Sequence, residues 1–441
     1  MASRKALAGT LLLAALVLSS GAWAQPPAPV IPPGIDLEKP LTLPQLVQIA
    51  MVNSPNPRIA EAGIRSADAA LMLARAALLP DLKADANLTE YRSLPTSGAL
   101  GGQFTTRTAE LALTETFFQS GLRQQIEASR ASARAARYGY DDTNRTLILT
   151  VAQSYYTALA AVGLAEVAMR AVADSQLHLD VVDAQISAGT SAKSDRYPFE
   201  VQLAQARLSA ITAENTAKTS LTSLKNAIGL PSTGIIHVSQ ALGRPPKEGK
   251  LPDLIQEAYD QRPDAKQLNE QVKAAQQNLR VAEINAGPVL TVAGGANYGR
   301  YTGVTGDTWQ ISGGVSVPIF DSGRSKAAID SARASLQTAQ ETLRSSQLNI
   351  SAQVEANYLD MVAADAAIDA AESAYQSAKV SLAVAEEKYK AGLGTVIDVT
   401  DAETQFEQTD AAKVQAYYTY NTSLAALKAS VGRPLVPAQP K

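Results

Sequence analysis

Two aspartates late in the chain have the spacing of side chains that act together. Asp398 and Asp401 lie three residues apart, so a helix would place both carboxylates on one face. Thr395 precedes Asp398 by three residues, which is the spacing of a capping box, and Asp401 would then favour the positive N-terminal end of the helix. Taken alone, the pattern predicts a capped helix start that presents two carboxylates on one side.

Few other residues could perform catalysis or hold a metal. The 441 residues include no cysteine and two histidines, His178 and His237, which excludes thiolate nucleophiles, disulfides, zinc ribbons and nearly all histidine-based metal sites. The sequence has no phosphate-binding loop, nucleophile elbow or histidine pair, so we expect no enzyme, no cofactor and no metal. The formal net charge of -3 offers no polyanion-binding surface, so nucleic acid is not expected as a partner.

An internal duplication predicts the elements that position these residues. Hydrophobic residues make up 46% of the chain but aromatics only 5%, and alanine, the best helix former, fills the difference. Residues such as proline, glycine and tyrosine recur at a fixed distance along the chain. The distance is 208 positions in the early part of the repeated unit and 203 positions in its later part. The pairs include Pro55 with Pro263, Pro80 with Pro288, Tyr155 with Tyr358, Gly189 with Gly392, Glu200 with Glu403, and Gly229 with Gly432. The sequence thus predicts two structural repeats, residues 41–243 and 250–434, after a proline-rich segment 25–40 and before a tail 435–441.

Each repeat should begin with helices and continue into a β-hairpin. We expect helices over 43–79 and 251–286, each ended by a proline, and then alternating apolar and polar residues that predict the hairpins 82–118 and 289–320. Strands of about 10 to 13 residues can cross a bilayer when tilted, but single-chain outer-membrane barrels begin at about eight strands. Several protomers must therefore pool their strands if the sheet lies in lipid. The alternative is a half-buried sheet in a soluble domain.

A very long helical hairpin should follow each β-hairpin. No proline interrupts 121–188 or 323–391, and a helix of about 68 residues extends roughly 100 Å. Each long helix has an apolar stripe at four-residue spacing, Leu147, Val151, Tyr155 and Leu159 in the first repeat and Ile350, Val354, Tyr358 and Val362 in the second. A glycine ends each long helix, and return helices complete the hairpins 121–228 and 323–431, with tips far from the strands.

Residues 1–24 are typical of a secretory signal peptide. Arg4 and Lys5 precede an apolar run, and the small-residue end Ala22-Trp23-Ala24 follows it. The run is shorter than the roughly 20 residues of a membrane-spanning helix. No cysteine follows the expected cleavage site, so we expect an exported protein without a lipid anchor. Any passage through a membrane must then use a closed β-barrel.

The second tip carries the most specific resemblance. Residues 387–402 read Glu-Lys-Tyr-Lys-Ala-Gly-Leu-Gly-Thr-Val-Ile-Asp-Val-Thr-Asp-Ala, which resembles the Tyr-x-x-Gly-Thr…Val-Asp-Val-x-Asp-Ala segment of the TolC family of outer-membrane efflux proteins. The first tip, Ile186 to Asp195, is the related segment, and the resemblance covers residues 40–434. It implies an α+β fold of mainly long α-helices. Three protomers would pool twelve strands into an outer-membrane β-barrel, continued by twelve helices that form a periplasmic α-helical barrel.

The resemblance also implies roles for residues of both tips. Asp398 and Asp401 would form acidic rings at a pore constriction, since three protomers would place two layers of carboxylates around one axis and favour cations. Tyr389, Ser194 and Asp195 would belong to a latch that links neighbouring hairpins. The positions that would dock a periplasmic adaptor are Gly189, Thr190, Gly392 and Thr395.

The resemblance implies a passive exit channel of a tripartite efflux or type I secretion system in the outer membrane of a Gram-negative cell. The homotrimer would contact outer-membrane lipid and open at its periplasmic tip when an adaptor and an inner-membrane pump of the RND, ABC or MFS type dock. A soluble periplasmic coiled-coil adaptor is the alternative, although it leaves the strands unexplained. Two basic latch positions of the family fall on Gly394 and Tyr417 here, so we expect a latch with weaker charge pairing or with other contacts.

Overall fold

The computed structural model describes residues 29–93, 102–238, 243–301 and 304–435. The predicted signal peptide and most of the predicted tail lie outside the described residues. Within them the same order of elements occurs twice: two helices, two strands and a long helical hairpin. The elements are α1 (Leu43–Asn53), α2 (Pro55–Ala76), β1 (Asp81–Ser93), β2 (Gly102–Gln119), α3 (Leu122–Ser187), a 3-10 turn (Lys193–Asp195), α4 (Arg196–Ala227), α5 (Leu251–Gln261), α6 (Pro263–Asn285), β3 (Val289–Tyr301), β4 (Val304–Ser316), α7 (Arg324–Lys390) and α8 (Val396–Val431).

Proline and glycine set the ends of the helices. Pro55 and Pro263 are the first residues of α2 and α6, where the missing N–H costs nothing because the first turn leaves it unbonded. The long helices begin after Gly121 and Gly323, whose φ angles of +86° and +87° lie in the left-handed region. The cap position itself is therefore glycine in both repeats, and the chain turns there from strand into helix.

The four strands form one antiparallel sheet in the order β1-β2-β3-β4. Its register brings Leu82 opposite Leu113, Leu111 opposite Tyr298 and Ala296 opposite Trp309, and these side chains share one face. The opposite face carries mainly polar and small residues, as the alternation predicts. β1 and β4 are the edge strands of this sheet.

One detail of the predicted strands is wrong. β4 ends at Ser316, so Val317 and Ile319 lie beyond it, because Pro318 has no N–H to donate to the ladder. Trp309, on the apolar face of β4, is 76% exposed in this chain.

Clusters of buried side chains hold the described helices together. One joins α1 to α3 around Ile49 and Val151, a second joins α5 to α7 and α8 around Leu254 and Val354, and a third lies near the tips. The third consists of Leu179, Val182, Phe199, Leu203, Val396 and Val399. α3 packs against α2, α4, α6 and α8. One 18-residue stretch of α3 is long and apolar enough to cross a membrane, but half of that stretch is buried inside the protein.

The second apolar stripe deviates from its predicted course. Val362 is 39% exposed, whereas Met361 is completely buried beside Ile350 and Val354. A step of four residues turns a helix by about 40° beyond one full turn, so a stripe with this spacing rotates by about 120° over three steps. Eleven residues, the distance from Ile350 to Met361, return to within about 20° of the starting direction. The prediction for Val362 is therefore wrong, whereas the equivalent Leu159 of the first stripe stays buried, so the neighbouring helices decide which of these positions is covered.

Candidate functional site

The second tip is a tight turn between α7 and α8. Gly392 has a φ of +71°, and the backbone N–H groups of Leu393 and Gly394 both donate to the carbonyl of Lys388, at 2.9 and 3.2 Å. A Cβ atom at Gly394 would lie 3.2 Å from the Lys388 Cβ, which is closer than side chains normally pack. This turn therefore favours glycine at the position where the resemblance places a basic residue.

Thr395 and Asp398 form the capping box that their spacing predicts. The Asp398 Oδ2 accepts hydrogen bonds from the backbone N–H and the hydroxyl of Thr395, both at 2.7 Å, and the Asp398 N–H donates to the Thr395 Oγ1 at 3.2 Å. The hydrogen bond from the Thr395 backbone is the main cause that lowers the pKa of Asp398, so this exposed carboxylate stays ionised. Asp401 follows one turn later and is exposed as well.

The first tip is built from its own local hydrogen bonds. Gly189 has a φ of +78°, and the N–H and hydroxyl of Thr190 donate to the Gln185 carbonyl at 2.9 and 3.0 Å. The Asp195 carboxylate accepts from the Ala192 N–H at 3.2 Å and from the Ser194 hydroxyl at 3.3 Å. Ser194 and Asp195 thus bind each other within the turn.

Tyr389 connects the two tips inside one chain. Its hydroxyl donates to the side-chain oxygen of Gln185 at 3.1 Å, and the Ser191 hydroxyl donates to the same oxygen, also at 3.1 Å. The Tyr389 ring packs edge-on against Phe199 at 6.4 Å between ring centroids. The sequence predicted no role for Gln185, which is equivalent to Lys388 in the duplication. The Gln185 carbonyl accepts a backbone hydrogen bond of the first tip, as the Lys388 carbonyl accepts those of the second tip.

Above the tips, charged and polar contacts join the first hairpin to the second. Arg170 on α3 donates to the Asp410 carboxylate on α8 at 2.9 Å, so a charge pair between hairpins exists away from the predicted latch. Tyr417, the other departure from the family's latch, donates to Glu372 at 3.3 Å within the second hairpin.

A buried carboxyl group lies between the same two hairpins. Glu403 on α8 is 1% exposed, and the Ser175 hydroxyl donates to its Oε1 at 3.0 Å. Its Oε2 has no hydrogen-bond partner among the described residues. Burial, reinforced by the nearby charge of Glu407, raises the pKa of Glu403 to about 7. Glu403 is equivalent to Glu200 in the duplication, and no functional role was predicted from the sequence for either residue.

The profile of the outer membrane efflux protein family matches residues 46–230 and 254–433, one segment in each repeat. The chain belongs to this family. The family consists of transport channels and is not a known family of enzymes, so the prediction that the chain is a channel is confirmed.

Relatives of this efflux protein agree with that assignment. The chain is 26% identical over 406 residues to the pyoverdine export outer membrane protein OpmQ of Pseudomonas aeruginosa, covering 88% of this chain and 83% of OpmQ. It is 24% identical over 426 residues to the outer membrane protein TolC of Vibrio cholerae, covering 94% of this chain and 92% of TolC. The crystal structure of the outer membrane protein VceC of Vibrio cholerae superimposes with a TM-score of 0.76 at 19% identity, over 89% of this chain and 96% of VceC.

These similarities confirm the predicted fold class and localisation. This protein is an outer-membrane efflux channel, in which strands contribute to a β-barrel and the long helices to a periplasmic helical barrel. Channels of the family work with adaptors and inner-membrane pumps in tripartite systems. The alternative of a soluble periplasmic adaptor finds no support among the relatives.

Proposed function

We propose that this efflux channel is a homotrimer whose resting pore is narrowed at the periplasmic tips by Asp398 and Asp401. The observation that carries the proposal is the second tip itself, where the cap fixes one exposed carboxylate and the next turn presents another. Three copies around one axis would place six carboxylates at the end of the duct. Such a constriction favours cations and holds them weakly enough to let them pass.

The sheet supports assembly into a trimer. β1 and β4 are open edges, and lipid does not tolerate unpaired backbone groups. Pairing β1 of one protomer with β4 of the next removes every edge and yields twelve strands, which is enough for an outer-membrane barrel. The face with Leu82, Leu113 and Trp309 would contact outer-membrane lipid, and the face with small and polar residues would line the pore.

The tips are also the proposed docking site for a periplasmic adaptor. Gly189 and Gly392 hold left-handed turns beside Thr190 and Thr395, and these turns lie at the ends of the helical hairpins. Leu393 is 82% exposed on the second tip, so an apolar contact is available there. An inner-membrane pump of the RND, ABC or MFS type would supply the energy, since the channel itself uses no cofactor and performs no catalysis.

Planar-bilayer conductance tests the pore role of the two aspartates. We compare the mature protein with Asp398→Gln/Asp401→Asn, in which glutamine keeps a capping-box acceptor while both charges are removed. We expect a larger resting conductance and a cation-to-anion permeability ratio that falls about tenfold, which corresponds to about 1.4 kcal/mol. Glu355→Gln, which removes the charge of an exposed side chain on α7, is the control. Unchanged ion selectivity in the double variant would show that both aspartates stabilise the start of the helix and do not line the pore constriction.

A second comparison tests how the tips are held closed. Because Tyr389 reaches the first hairpin through Gln185, Tyr389→Phe removes a hydrogen bond at 3.1 Å and leaves the ring in place. We expect this variant to raise the resting conductance more than Asp195→Lys does, since Asp195 bonds only within its own turn among the described residues. A sharper rise in Asp195→Lys, matching that of the tip double variant, would instead show a latch held by charge.

A further inference from the structure

A cavity of about 370 Å³ lies between the two helical hairpins just above the tips. Its walls come from α3, α4, α7 and α8, and they include the apolar side chains Leu177, Val181, Leu382 and Phe406. The rings of Phe199 and Tyr389 also face it. The volume lies within the range of about 300 to 1,000 Å³ that small-molecule pockets occupy.

The polar part of this cavity is strongly acidic. Asp174, Glu386, Glu403 and Glu407 all line it. The Glu403 Oε2 and the Glu407 Oε1 are buried and have no hydrogen-bond partner among the described residues. Buried polar atoms are normally satisfied, so two such oxygens in one cavity are available to a positively charged or hydrogen-bonding partner.

The basic groups at the cavity do not fill this role. The His178 Nε2 lies 3.9 Å from both the Glu403 Oε2 and the Glu386 Oε1, which is too far for a hydrogen bond. The Lys390 ammonium is bound to Glu387 at 2.9 Å on the exposed side of α7. Four carboxyl groups therefore face the cavity with one distant imidazole and one lysine that is already paired.

We propose that this cavity binds a small organic cation with an apolar body, whose charge approaches Glu403 and Glu407 and whose body packs against Phe406 and the aliphatic wall. Aromatic rings attract such cations through their faces, which adds to the charge attraction. A metal ion fits less well, because the described residues contain no group of His, Asp and Glu side chains arranged to hold one. The inference stands independently of the pore role of Asp398 and Asp401.

The position of the cavity gives the bound cation a further effect. Asp174 and His178 belong to α3 of the first hairpin, whereas Glu403 and Glu407 belong to α8 of the second. A ligand that contacts both hairpins stabilises the arrangement in which the cavity has this shape. The ligand would therefore hold the two hairpins of one protomer together close to the proposed gate.

Calorimetric titration with benzyltrimethylammonium tests the proposal on the purified mature protein. The charge of this probe does not titrate, so any pH dependence comes from the protein. We expect one saturable site per protomer, and a dissociation constant at least about tenfold larger in Glu403→Gln and in Glu407→Gln. Glu403→Gln keeps an acceptor for Ser175, and Glu355→Gln serves as the control on an exposed surface. Affinity should also weaken from pH 8 to pH 5.5, because burial raises the pKa of Glu403 to about 7.

Two comparisons can overturn the proposal. Neopentylbenzene has the shape of the probe without its charge, and equal binding of both compounds would show a merely apolar pocket. The tip variant Asp398→Gln/Asp401→Asn should retain the site, so binding that is lost there and kept in Glu403→Gln would move the cation to the tips. The absence of saturable binding in the wild-type protein also overturns the proposal. If Glu403→Gln fails to assemble, Glu407→Gln decides the outcome alone.

Discussion

Replacing Glu403 by glutamine is expected to stabilise the protein at pH 8 by about 3 kcal/mol per chain. Burial raises the pKa of Glu403 from 4.5 to about 7, so the folded chain must either hold a proton there or keep a charge out of water. The shift corresponds to about 3 kcal/mol by linkage. Glutamine has nearly the same shape, carries no charge and still accepts from the Ser175 hydroxyl.

The sign of the pH dependence follows from the raised pKa. The folded chain binds the Glu403 proton more tightly than the unfolded chain does, so wild-type stability should fall as the pH rises from about 4.5 to about 7. Below that window the carboxyl group is protonated in both states and the penalty disappears. Urea unfolding at pH 5 and pH 8 measures the difference, and the loss between the two pH values should be smaller in Glu403→Gln by about 2.5 kcal/mol. An equal loss in both proteins would show that Glu403 is ionised without cost.

Local signals account for most of the predicted fold. Pro55 and Pro263 mark the same helix start in two copies, and their recurrence identifies the duplication without any tertiary information. The absence of proline over 121–188 predicts α3 almost to its ends, since propensity acts within a few residues. The end of β4 is less well predicted, because alternation continues through Val317 and Ile319 beyond the last hydrogen-bonded pair.

At the tips, too, local contacts were predictable from the sequence and contacts between distant residues were not. The capping box of Thr395 and Asp398 depends on residues three positions apart, and its geometry was predictable from that spacing alone. The contact of Tyr389 with Gln185 joins positions about 200 residues apart and depends on how one hairpin lies against the other. Glu403 is one of two glutamates on α8, and only the packing of α3 and α7 around α8 buries it. No local pattern distinguishes it from an exposed glutamate.

Four left-handed glycines offer a graded test of how closely the backbones approach at the helix ends. A Cβ atom at Gly229 would lie 2.8 Å from the Asn53 carbonyl carbon and 3.0 Å from the Ser54 nitrogen. The equivalent Gly432 is slightly less crowded, with the Gln261 Cβ at 3.3 Å. Gly189 and Gly392, at the tips, have no atom within 4 Å of such a Cβ. All four share a positive φ, so they differ mainly in the space around them.

Gly229→Ala should therefore destabilise the protein by about 3 kcal/mol, the largest loss in the series. A left-handed alanine costs about 1 kcal/mol, and the overlap with the rigid backbone at Asn53 adds about 2 kcal/mol, because backbone atoms cannot rotate away as a side chain does. Gly432→Ala should lose about 2 kcal/mol, and Gly392→Ala only the conformational cost of about 1 kcal/mol. Urea unfolding of the three variants at pH 7 measures the differences. Equal losses would mean that the end of α4 does not press against the start of α2, and that the left-handed conformation alone requires glycine at these positions.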